Sequence, residues 1–581
     1  MSKSDNDNWE LQTEQASKAH IIDTDRKSKS GNGNDKYSNV AILYSLSKDY
    51  NGVENQSQTN GTGIGYSIYV EGSGAMPILG ADVVGSGFGV GKAGVVALVS
   101  KAIRLINDYL SSSIPLSRRE NVELHFALFG FSRGSTCARV LTHLIARENS
   151  SDPLPREKEF AQYLECRQLY KNGRVTFLEG FNKTTVDFLG IYDTVSSIGF
   201  LQKEENITNY GINNFVPIKQ THSEDESENA TPSGGLVKSL LNKIGRTQQN
   251  TPPKEYVIFL HNFGPKVWGD AYLNFHRDNV TEYGLYFPSG ERVLNAFHIC
   301  ALDEFRENFA LVNLGNNLND KCSELFVPGC HSDIGGGYMD DDILVDYSLR
   351  SSINEIPTAI IKGNPGKKPN TKSEIVPVTI GGLTEAGWFS SQNLDLGQML
   401  LTELRGKLNR ANESERADLV KFRRFVSEGY SNITMQAMLN RAISLEFGLG
   451  KWPECFHPFG KDTSHIRFAL PKIKMKERIL TAAEEVAGGK RMCIVPQTDQ
   501  EYAELRNTYL HFTSTDKRYS GLMGNPTNIA DRVTAVGANL GNPPNWKYIE
   551  IESEKYYVLC RLMYNGDCGA RSLATLYDLN F

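Results

Sequence analysis

Ser132, in the string GFSRG (130–134), is the residue whose type and setting best suit it to act as a nucleophile. An apolar run, LHFALF, precedes the string and helix-forming residues follow it, so the pattern predicts a strand that turns sharply into a helix. Glycine is expected on both sides of the serine because a side chain there would collide with the strand or the helix. A serine hydroxyl becomes reactive only when a neutral imidazole takes its proton and a carboxylate stabilises the resulting imidazolium. Without such partners, the string would be only a tight turn.

Candidates for both partners follow two other predicted strands. VDFLGIYD (186–193) ends on Asp193, and SELFVPGC (323–330) is followed by His331 in the string HSDIGGGY. In hydrolases with a serine at such a turn, the chain order is Ser, then Asp or Glu, then His, and each lies at the carboxyl end of a strand. The order Ser132, Asp193, His331 fits that rule and predicts a catalytic triad.

Other carboxylates compete with Asp193 for its place in the triad. Asp187 begins the same strand, at the wrong end of the sheet, and Asp333 could instead support the loop around His331. Asp193 itself could cap the following turn, since Asp followed by Thr is favoured there. Asp193 is the preferred carboxylate, and Asp333 takes a supporting role.

Two other histidines compete with His331, which could also be a structural histidine bonded to the backbone. His298 lies in the segment 291–309, whose apolar residues predict a helix, and it would share one helix face with Arg306 eight residues later. That position favours a packed histidine or a supporting role beside the triad. His511, in the string YLHFTST, is far along the sequence from the strings that contain the other candidate residues.

A glycine-rich string offers a different class of function. GVGKAG (89–94) satisfies G-x-G-x-x-G and runs into a predicted helix, as a dinucleotide-binding loop would. The acidic residue expected about 20 positions later would be Asp108, which falls late in that helix instead of after a second strand. Ala93 stands where a phosphate-binding loop has the Ser or Thr that binds magnesium. Close packing of the backbone near the site is the preferred interpretation, and no cofactor or metal is predicted.

The composition excludes several classes of protein. The net charge is −6 at pH 7, without a dense Lys/Arg cluster, so nucleic acid is not an expected partner. Nine cysteines lie scattered without C-x-x-C spacing, which favours reduced thiols and cytoplasmic synthesis over a disulfide framework or a zinc module. The first residues lack the apolar segment of a secretory signal, and no apolar run approaches the ~20 residues that cross a bilayer. If this protein leaves the cell, another machine is expected to export it.

The elements that would position the candidate residues alternate along the chain. Apolar runs predict strands at 39–46, 66–74, before GFSRG, and at 186–195, 323–329 and 555–564. Apolar residues at helical spacing predict helices at 95–110, after GFSRG, and at 291–309, 397–410 and 475–487. Strands that alternate with helices and are apolar throughout are typical of a parallel α/β sheet that is covered on both faces.

The sequence divides into three regions. Residues 1–36 are polar and are predicted to be disordered or loosely ordered. Residues 37–355 are predicted to form the α/β domain, interrupted by a polar surface insertion at 203–254. Residues 356–581 form a mixed or helical C-terminal region, whose pattern does not choose between a membrane-facing surface and a surface that docks on a secretion spike.

Several strings together resemble the type VI secretion lipase effectors, a family with an α/β-hydrolase domain. They are GFSRG, GIYDTV and PGCHSDIGGGY, with YVEGSG upstream and HICALDEFRENF between them, and the similarity covers roughly residues 39–350. The resemblance implies an α/β-hydrolase fold with a mostly parallel sheet, and it implies that Ser132, Asp193 and His331 form the triad.

The resemblance also implies an oxyanion hole made of backbone N–H groups. One is the N–H of Arg133, which comes with the turn itself, and the other is expected from the loop after the first strand, at Ser45. The family usually has Asp-Gly-Thr in that loop, whereas this sequence has YSLSKDYNG (44–52). Half of the predicted hole therefore departs from the family pattern.

The family resemblance implies an antibacterial phospholipase that hydrolyses acyl esters of membrane phospholipids. Its expected partners are a phospholipid bilayer as substrate, a type VI secretion spike protein and a cognate immunity protein. Such a protein would be made in the cytoplasm without a signal peptide and exported to act on target-cell membranes from the periplasm. The alternatives are a soluble carboxylesterase or peptidase with the same triad, a dinucleotide-binding protein, and a non-catalytic interaction protein.

Overall fold

The computed structural model describes part of the 581-residue chain. The described residues are 37–47, 50–54, 62–72, 94–147, 170–171, 174–196, 201–202, 215–218, 256–259, 285, 292–306, 309–315, 322–338, 341–348, 358–361, 368–377, 380–388, 419–427, 429–444, 468–486, 489–512, 546–566 and 571–574. The predicted N-terminal segment 1–36 and the predicted helix 397–410 lie outside these residues. So do the glycine-rich string except Gly94, and the predicted insertion 203–254 except residues 215–218.

The helices are labelled α1 to α8 in chain order. They are Asn39–Leu46, Val95–Ser113, Arg133–Ala146, His331–Gly335, Ile380–Glu385, Tyr430–Ser444, Lys474–Glu485 and Asp499–Thr508. Short 3-10 helices cover Leu116–Asn121, Thr176–Leu178 and Lys372–Glu374.

The strands are labelled β1 to β21. The first ten are Tyr50–Glu54, Thr62–Gly65, Glu123–Phe131, Tyr170–Lys171, Arg174–Val175, Lys183–Tyr192, Leu201–Gln202, Phe215–Ile218, Tyr256–Phe259 and Ala296–Ala301. The others are Leu311–Val312, Cys322–Val327, Asp341–Ser348, Thr358–Ile361, Ile375–Pro377, Leu419–Val426, Arg491–Cys493, Trp546–Ile551, Glu554–Leu559, Arg561–Tyr564 and Arg571–Ala574.

A five-stranded sheet forms the centre of the protein, in the order β17-β12-β10-β6-β3. Every neighbouring pair in it is parallel. Parallel strands covered on both faces need apolar side chains on both, which explains why β6, β10 and β12 are mostly apolar. The polar residues buried within them, Asp187, His298 and Glu324, have hydrogen-bond partners. Because the strands are parallel, their carboxyl ends meet at one edge, where residues that follow β3, β6 and β12 come together. The predicted α/β class with a mostly parallel sheet is confirmed.

Helices pack on both faces of this sheet. Helices α2 and α3 cover one face, where Ile103 and Leu141 are buried together with side chains from β6 and β10. Helices α1, α6 and α7 cover the other, where Leu43, Ile433 and Ile479 are buried. The helices predicted at 95–110 and 475–487 correspond to α2 and α7.

Three predicted elements are wrong. Residues 39–46 form helix α1 instead of a strand, with Ser38 as its N-cap. The run NVAILYSL is apolar nearly throughout, so its period does not separate helix from strand. Residues 66–72 form no strand, and β2 ends just before them at Gly65. The segment 291–309, predicted as a helix, contains the central strand β10, which is buried on both faces and therefore lacks the alternation of a half-exposed strand.

The C-terminal region takes part in the same fold. Strand β17 pairs in parallel with β12 and forms one edge of the central sheet. Strand β20 pairs in parallel with β11, which precedes that region in the chain. The region predicted to begin at residue 356 is therefore joined to the α/β sheet by strand pairing, and the strand predicted at 555–564 is divided into β19 and β20.

Candidate active site

Ser132 occupies the turn between β3 and α3 in a strained backbone conformation. Its φ is 60° and its ψ is −126°, in a region that residues with a side chain rarely adopt. Its N–H donates to the carbonyl of Tyr192 at 3.1 Å, and its carbonyl accepts from the N–H of Val195 at 3.3 Å. These bonds hold the turn against the end of β6, beside Asp193.

The two glycines of GFSRG differ in the space available for a side chain. A Cβ on Gly130 would lie 2.5 Å from the carbonyl oxygen of Gly134, so only glycine fits at that position. A Cβ on Gly134 would meet nothing within 4 Å. The expectation that both glycines are needed to avoid collisions is correct for Gly130 and wrong for Gly134.

His331 and Asp193 form a buried hydrogen-bonded pair. The imidazole Nδ1 of His331 lies 2.6 Å from Oδ2 of Asp193, and both residues are buried. Asp193 directly follows β6 with a φ of 39°, and His331 begins helix α4 shortly after β12. The geometry implies that Nδ1 carries the proton and that Nε2 is left to accept one.

The Asp193 carboxylate also receives other donors. The N–H of Ala301 donates to Oδ1 at 2.9 Å, and Nη2 of Arg561 lies 3.0 Å from Oδ1 and 2.9 Å from Oδ2. Burial opposes ionisation of this carboxylate, but Arg561 and the hydrogen bonds from His331 and Ala301 outweigh it, so the pKa of Asp193 lies below its usual value. Asp193 is therefore ionised at neutral pH.

The surroundings of His331 keep its imidazole neutral. Burial lowers the pKa of His331 below its usual value, and the nearby Asp193 and Glu304 carboxylates oppose this effect only in part. The Glu304 carboxylate also accepts the backbone N–H of His331 at 3.3 Å. A neutral imidazole whose Nδ1–H is bound to a carboxylate can accept a proton at Nε2, as a general base does.

Aromatic rings connect the serine turn to the histidine. The ring of Phe131, directly before Ser132, lies 4.5 Å from the His331 ring, and the ring of Phe309 meets His331 edge-on at 4.9 Å. A Cβ on Gly335, at the end of α4, would lie 2.0 Å from the Phe131 ring. Ser132, Asp193 and His331 therefore lie at the same edge of the central sheet, with strand ends and aromatic packing between them.

Asp333 and His511 lie together, although 178 residues separate them in the sequence. Oδ1 of Asp333 lies 2.6 Å from Nδ1 of His511, and Oδ2 accepts backbone N–H groups from His511 and Cys330 at 3.0 and 2.9 Å. Asp333 thus holds the start of α4, the segment that carries His331.

His298 lies on strand β10 and not on a helix, so the predicted helix face shared with Arg306 does not exist. Its Nδ1 lies 2.9 Å from Glu324 Oε1, and its Nε2 accepts the backbone N–H of Thr194 at 3.2 Å. Burial lowers the pKa of His298, which keeps Nε2 available as an acceptor. His298 therefore supports the backbone next to Asp193.

The rival carboxylate Asp187 has a separate partner. It is buried in the middle of β6, and its Oδ2 lies 2.9 Å from Nδ1 of His125 on β3. That pair does not include Ser132 or His331.

The two predicted oxyanion-hole residues have different positions. Arg133 is the first residue of α3, directly after Ser132, where the positive end of the helix dipole favours an anion. Ser45 lies within helix α1 instead of a loop after a strand, and its Oγ donates to the carbonyl of Ile42 at 2.6 Å. The expectation that Ser45 contributes a backbone N–H from a loop is wrong, because its backbone is helical.

Two residues of the site, Arg561 and Glu304, are not identified by the sequence motifs. Glu304 lies in the string HICALDEFRENF, and its carboxylate binds the Arg306 guanidinium at 2.6 to 2.8 Å. Arg561 stands as a single charge in the apolar string VLCRLMY, which is the signal that could have marked it. A charge within a buried strand needs a partner of opposite charge.

One group of possible metal ligands occurs among the described residues: His298, Cys300 and Glu324, whose ligand atoms lie within 4.8 Å of one another. Both His298 nitrogens already have hydrogen-bond partners, and the Nε of Arg491 binds Glu324 Oε2 at 2.6 Å. Burial also raises the pKa of the Cys300 thiol well above its usual value. These contacts indicate a chain of hydrogen bonds that links the neighbouring strands β10, β12 and β17.

Within the described part of the chain, none of the helices combines the length and the apolar character that a membrane span requires.

Residues 266–357 match a family model described as type VI secretion system, phospholipase effector Tle1-like, catalytic domain. No curated protein matches the chain. A solved structure of a Tle1 effector bound to the VgrG spike of the type 6 secretion system has 17% sequence identity and a TM-score of 0.40, with 88% of this chain and 81% of that chain covered. An uncharacterised protein from Pseudomonas aeruginosa has 15% identity and a TM-score of 0.19, with 42% and 23% covered.

The matched segment contains His298, Glu304 and His331 and ends after the HSDIGGGY string. The family model thus confirms the predicted resemblance to the type VI secretion lipase effectors, over residues 266–357 of this chain.

Proposed function

We propose that this protein is a serine hydrolase with an α/β-hydrolase fold that cleaves acyl esters of membrane phospholipids. One observation carries the proposal: the strained Ser132 lies at the same sheet edge as the His331–Asp193 pair, whose hydrogen bond is 2.6 Å long. Nucleophile, carboxylate and base follow three parallel strands in the order expected for such hydrolases. The family-model match supports a phospholipid as the substrate class.

In the proposed reaction, His331 Nε2 takes the proton of Ser132 Oγ as the oxygen attacks the carbonyl carbon of an acyl ester. The imidazolium that forms is stabilised by the ionised Asp193, and the oxyanion accepts the N–H of Arg133. His331 then gives its proton to the departing alcohol oxygen, leaving an acyl-enzyme. In the second half, His331 Nε2 takes a proton from water as the water oxygen attacks the acyl carbon. The bond to Ser132 Oγ then breaks, His331 returns the proton to Oγ, and the fatty acid leaves.

The biological setting is part of the same proposal. The resemblance supports delivery by a type VI secretion system, docking on a spike protein, and action on the membranes of a target cell from its periplasm. It also supports a cognate immunity protein that protects the producer.

Fatty-acid release from phospholipid vesicles tests this proposal, with wild type compared to Ser132→Ala. Loss of a triad nucleophile is expected to lower turnover at least about ten-thousandfold. Ser111→Ala, on the exposed side of α2, is the matched control and is expected to retain wild-type turnover. Circular dichroism checks that all three proteins are folded.

The outcomes separate the candidate functions. Release that disappears only in Ser132→Ala supports the phospholipase. Hydrolysis of short soluble esters but not of vesicles would support a soluble esterase instead. An inactive wild type, or an equally active Ser132→Ala, would contradict the proposal and favour a non-catalytic role.

A further inference from the structure

Arg561 is a buried cation that reaches the Asp193 carboxylate from strand β20, across 368 residues of sequence. Its Nη2 contacts both carboxylate oxygens, at 3.0 and 2.9 Å, and its Nη1 donates to the carbonyl of Glu304 at 3.2 Å. Its strand is fixed on both sides, by β11 and by β21. Strand pairing therefore fixes the backbone that carries the guanidinium.

Together these contacts saturate the carboxylate. Oδ1 receives the N–H of Ala301 and Arg561, whereas Oδ2 receives His331 and Arg561. A rotation of the carboxyl group would break at least one of these bonds, so its orientation toward His331 is set. A buried carboxylate without a cationic partner would be strongly disfavoured in its ionised form.

We infer that Arg561 is a positioning residue of the proposed triad, which keeps Asp193 ionised and aimed at His331 Nδ1. The inference rests on the proposed function, because it concerns how the same serine hydrolase site works. It also gives the C-terminal region a role in the site: one of its strands supplies the cation that the triad carboxylate needs.

The charge of Arg561 acts on Asp193 and His331 as a unit. The active form of the pair has an ionised Asp193 and a neutral His331, so the pair carries one negative charge. Removal of a buried positive charge makes that form less stable, and the pair therefore gains a proton at a higher pH, whichever residue holds it. The other titratable or charged groups around the pair are Glu304, Arg306, His298 and Cys300.

The test compares Arg561→Met and Arg561→Gln with Arg561→Lys, which keeps the charge. Two pH profiles are measured: kcat/KM for a soluble ester, and the rate at which a fluorophosphonate labels Ser132. In the neutral variants the acid limb of both profiles is expected to move to higher pH by about one unit or more. At a pH below the acid limbs of both wild type and variant, each pH unit by which the limb moves lowers the variant's rate tenfold relative to wild type. In Arg561→Lys the limb is expected to stay within about half a unit of wild type.

Arg139→Met is the matched control for the loss of a buried arginine. Arg139 is buried and donates to the backbone carbonyls of Leu285, Val312 and Asn313. Its removal is expected to lower stability and to leave the acid limb in place.

Each outcome decides the inference. A folded Arg561→Met with reduced rate but an unmoved limb would overturn it, because Arg561 would then only support packing. If neither neutral variant folds, Arg561→Lys decides: an unmoved limb supports the inference, and a limb raised by a full unit although the charge is kept contradicts it. A wild type that neither hydrolyses esters nor reacts with the fluorophosphonate contradicts the proposed function itself, and the inference falls with it.

Discussion

Asp333 and His511 form a buried pair that joins segments 178 residues apart, with 2.6 Å between Oδ1 and Nδ1. The other carboxylate oxygen accepts the backbone N–H groups of His511 and Cys330. Cys330 directly precedes His331, so this carboxylate determines where the helix that carries the proposed base begins. The C-terminal region thus supports the site twice, through His511 and through Arg561.

Asp333→Asn is expected to destabilise the protein by about 1–3 kcal/mol and to lower turnover. An amide N–H₂ in place of Oδ2 would face the backbone N–H groups of His511 and Cys330, both donors. An amide N–H₂ in place of Oδ1 is accommodated only if the His511 ring changes tautomer so that Nδ1 accepts. Chemical denaturation measures the change. Asp108→Asn, at a largely exposed position on α2, is the matched control and is expected to stay within about 0.5 kcal/mol of wild type. Equal stability of the two variants would show that Asp333 does not hold α4.

Replacing Gly130 and Gly134 separately by alanine is expected to have opposite effects on stability. In Gly130→Ala the new Cβ would clash with backbone at 2.5 Å, so the turn must shift, and both stability and turnover are expected to fall. In Gly134→Ala the new Cβ meets nothing, and alanine favours a helix by up to about 1 kcal/mol over glycine. Thermal unfolding and turnover of the pair check the prediction, which a stable, active Gly130→Ala would contradict.

The proposed triad could be predicted from sequence because each member follows a recognisable element. Ser132, Asp193 and His331 come after apolar runs, and the carboxyl ends of parallel strands meet at one edge. Local pattern and chain order were therefore sufficient to nominate all three. Their hydrogen-bond partners were not, since nothing local shows that Arg561 or His511 returns to this edge.

Two of the three wrongly predicted elements lack a clear periodic signal because apolar residues occupy most of their positions. The helix at 39–46 is apolar nearly throughout, and its position depends on a distant contact: Asn39 donates to the carbonyls of Ile334 and Ser431 at 2.9 and 3.1 Å. Strand β10 is buried on both faces, so its apolar residues could be fitted to a helical spacing. The misreading of 39–46 also led to the wrong position for Ser45.

Acidification is expected to lower the free energy of unfolding in two pH windows. Burial lowers the pKa values of His298 and His331 below their ordinary 6.5, so the unfolded chain binds more protons and stability falls as the pH drops through and below 6.5. Glu324 and Asp193 also have lowered pKa values, against ordinary values of 4.5 and 3.8, and their contribution is lost as the pH falls further. In both windows the free energy of unfolding falls as the pH falls.

His298→Gln tests the first window. The variant is expected to reduce the slope of unfolding free energy between pH 5 and 6.5 by up to about 1.4 kcal/mol per pH unit, since it removes one displaced proton. His125→Gln is the matched control, because its hydrogen bond to Asp187 raises the pKa of His125 and its contribution is lost as the pH rises. That control is expected to keep or steepen the slope, and denaturant titrations at several pH values measure both variants. An unchanged slope in His298→Gln would mean that His298 is charged in the folded protein, and its Nε2 could then not accept the N–H of Thr194.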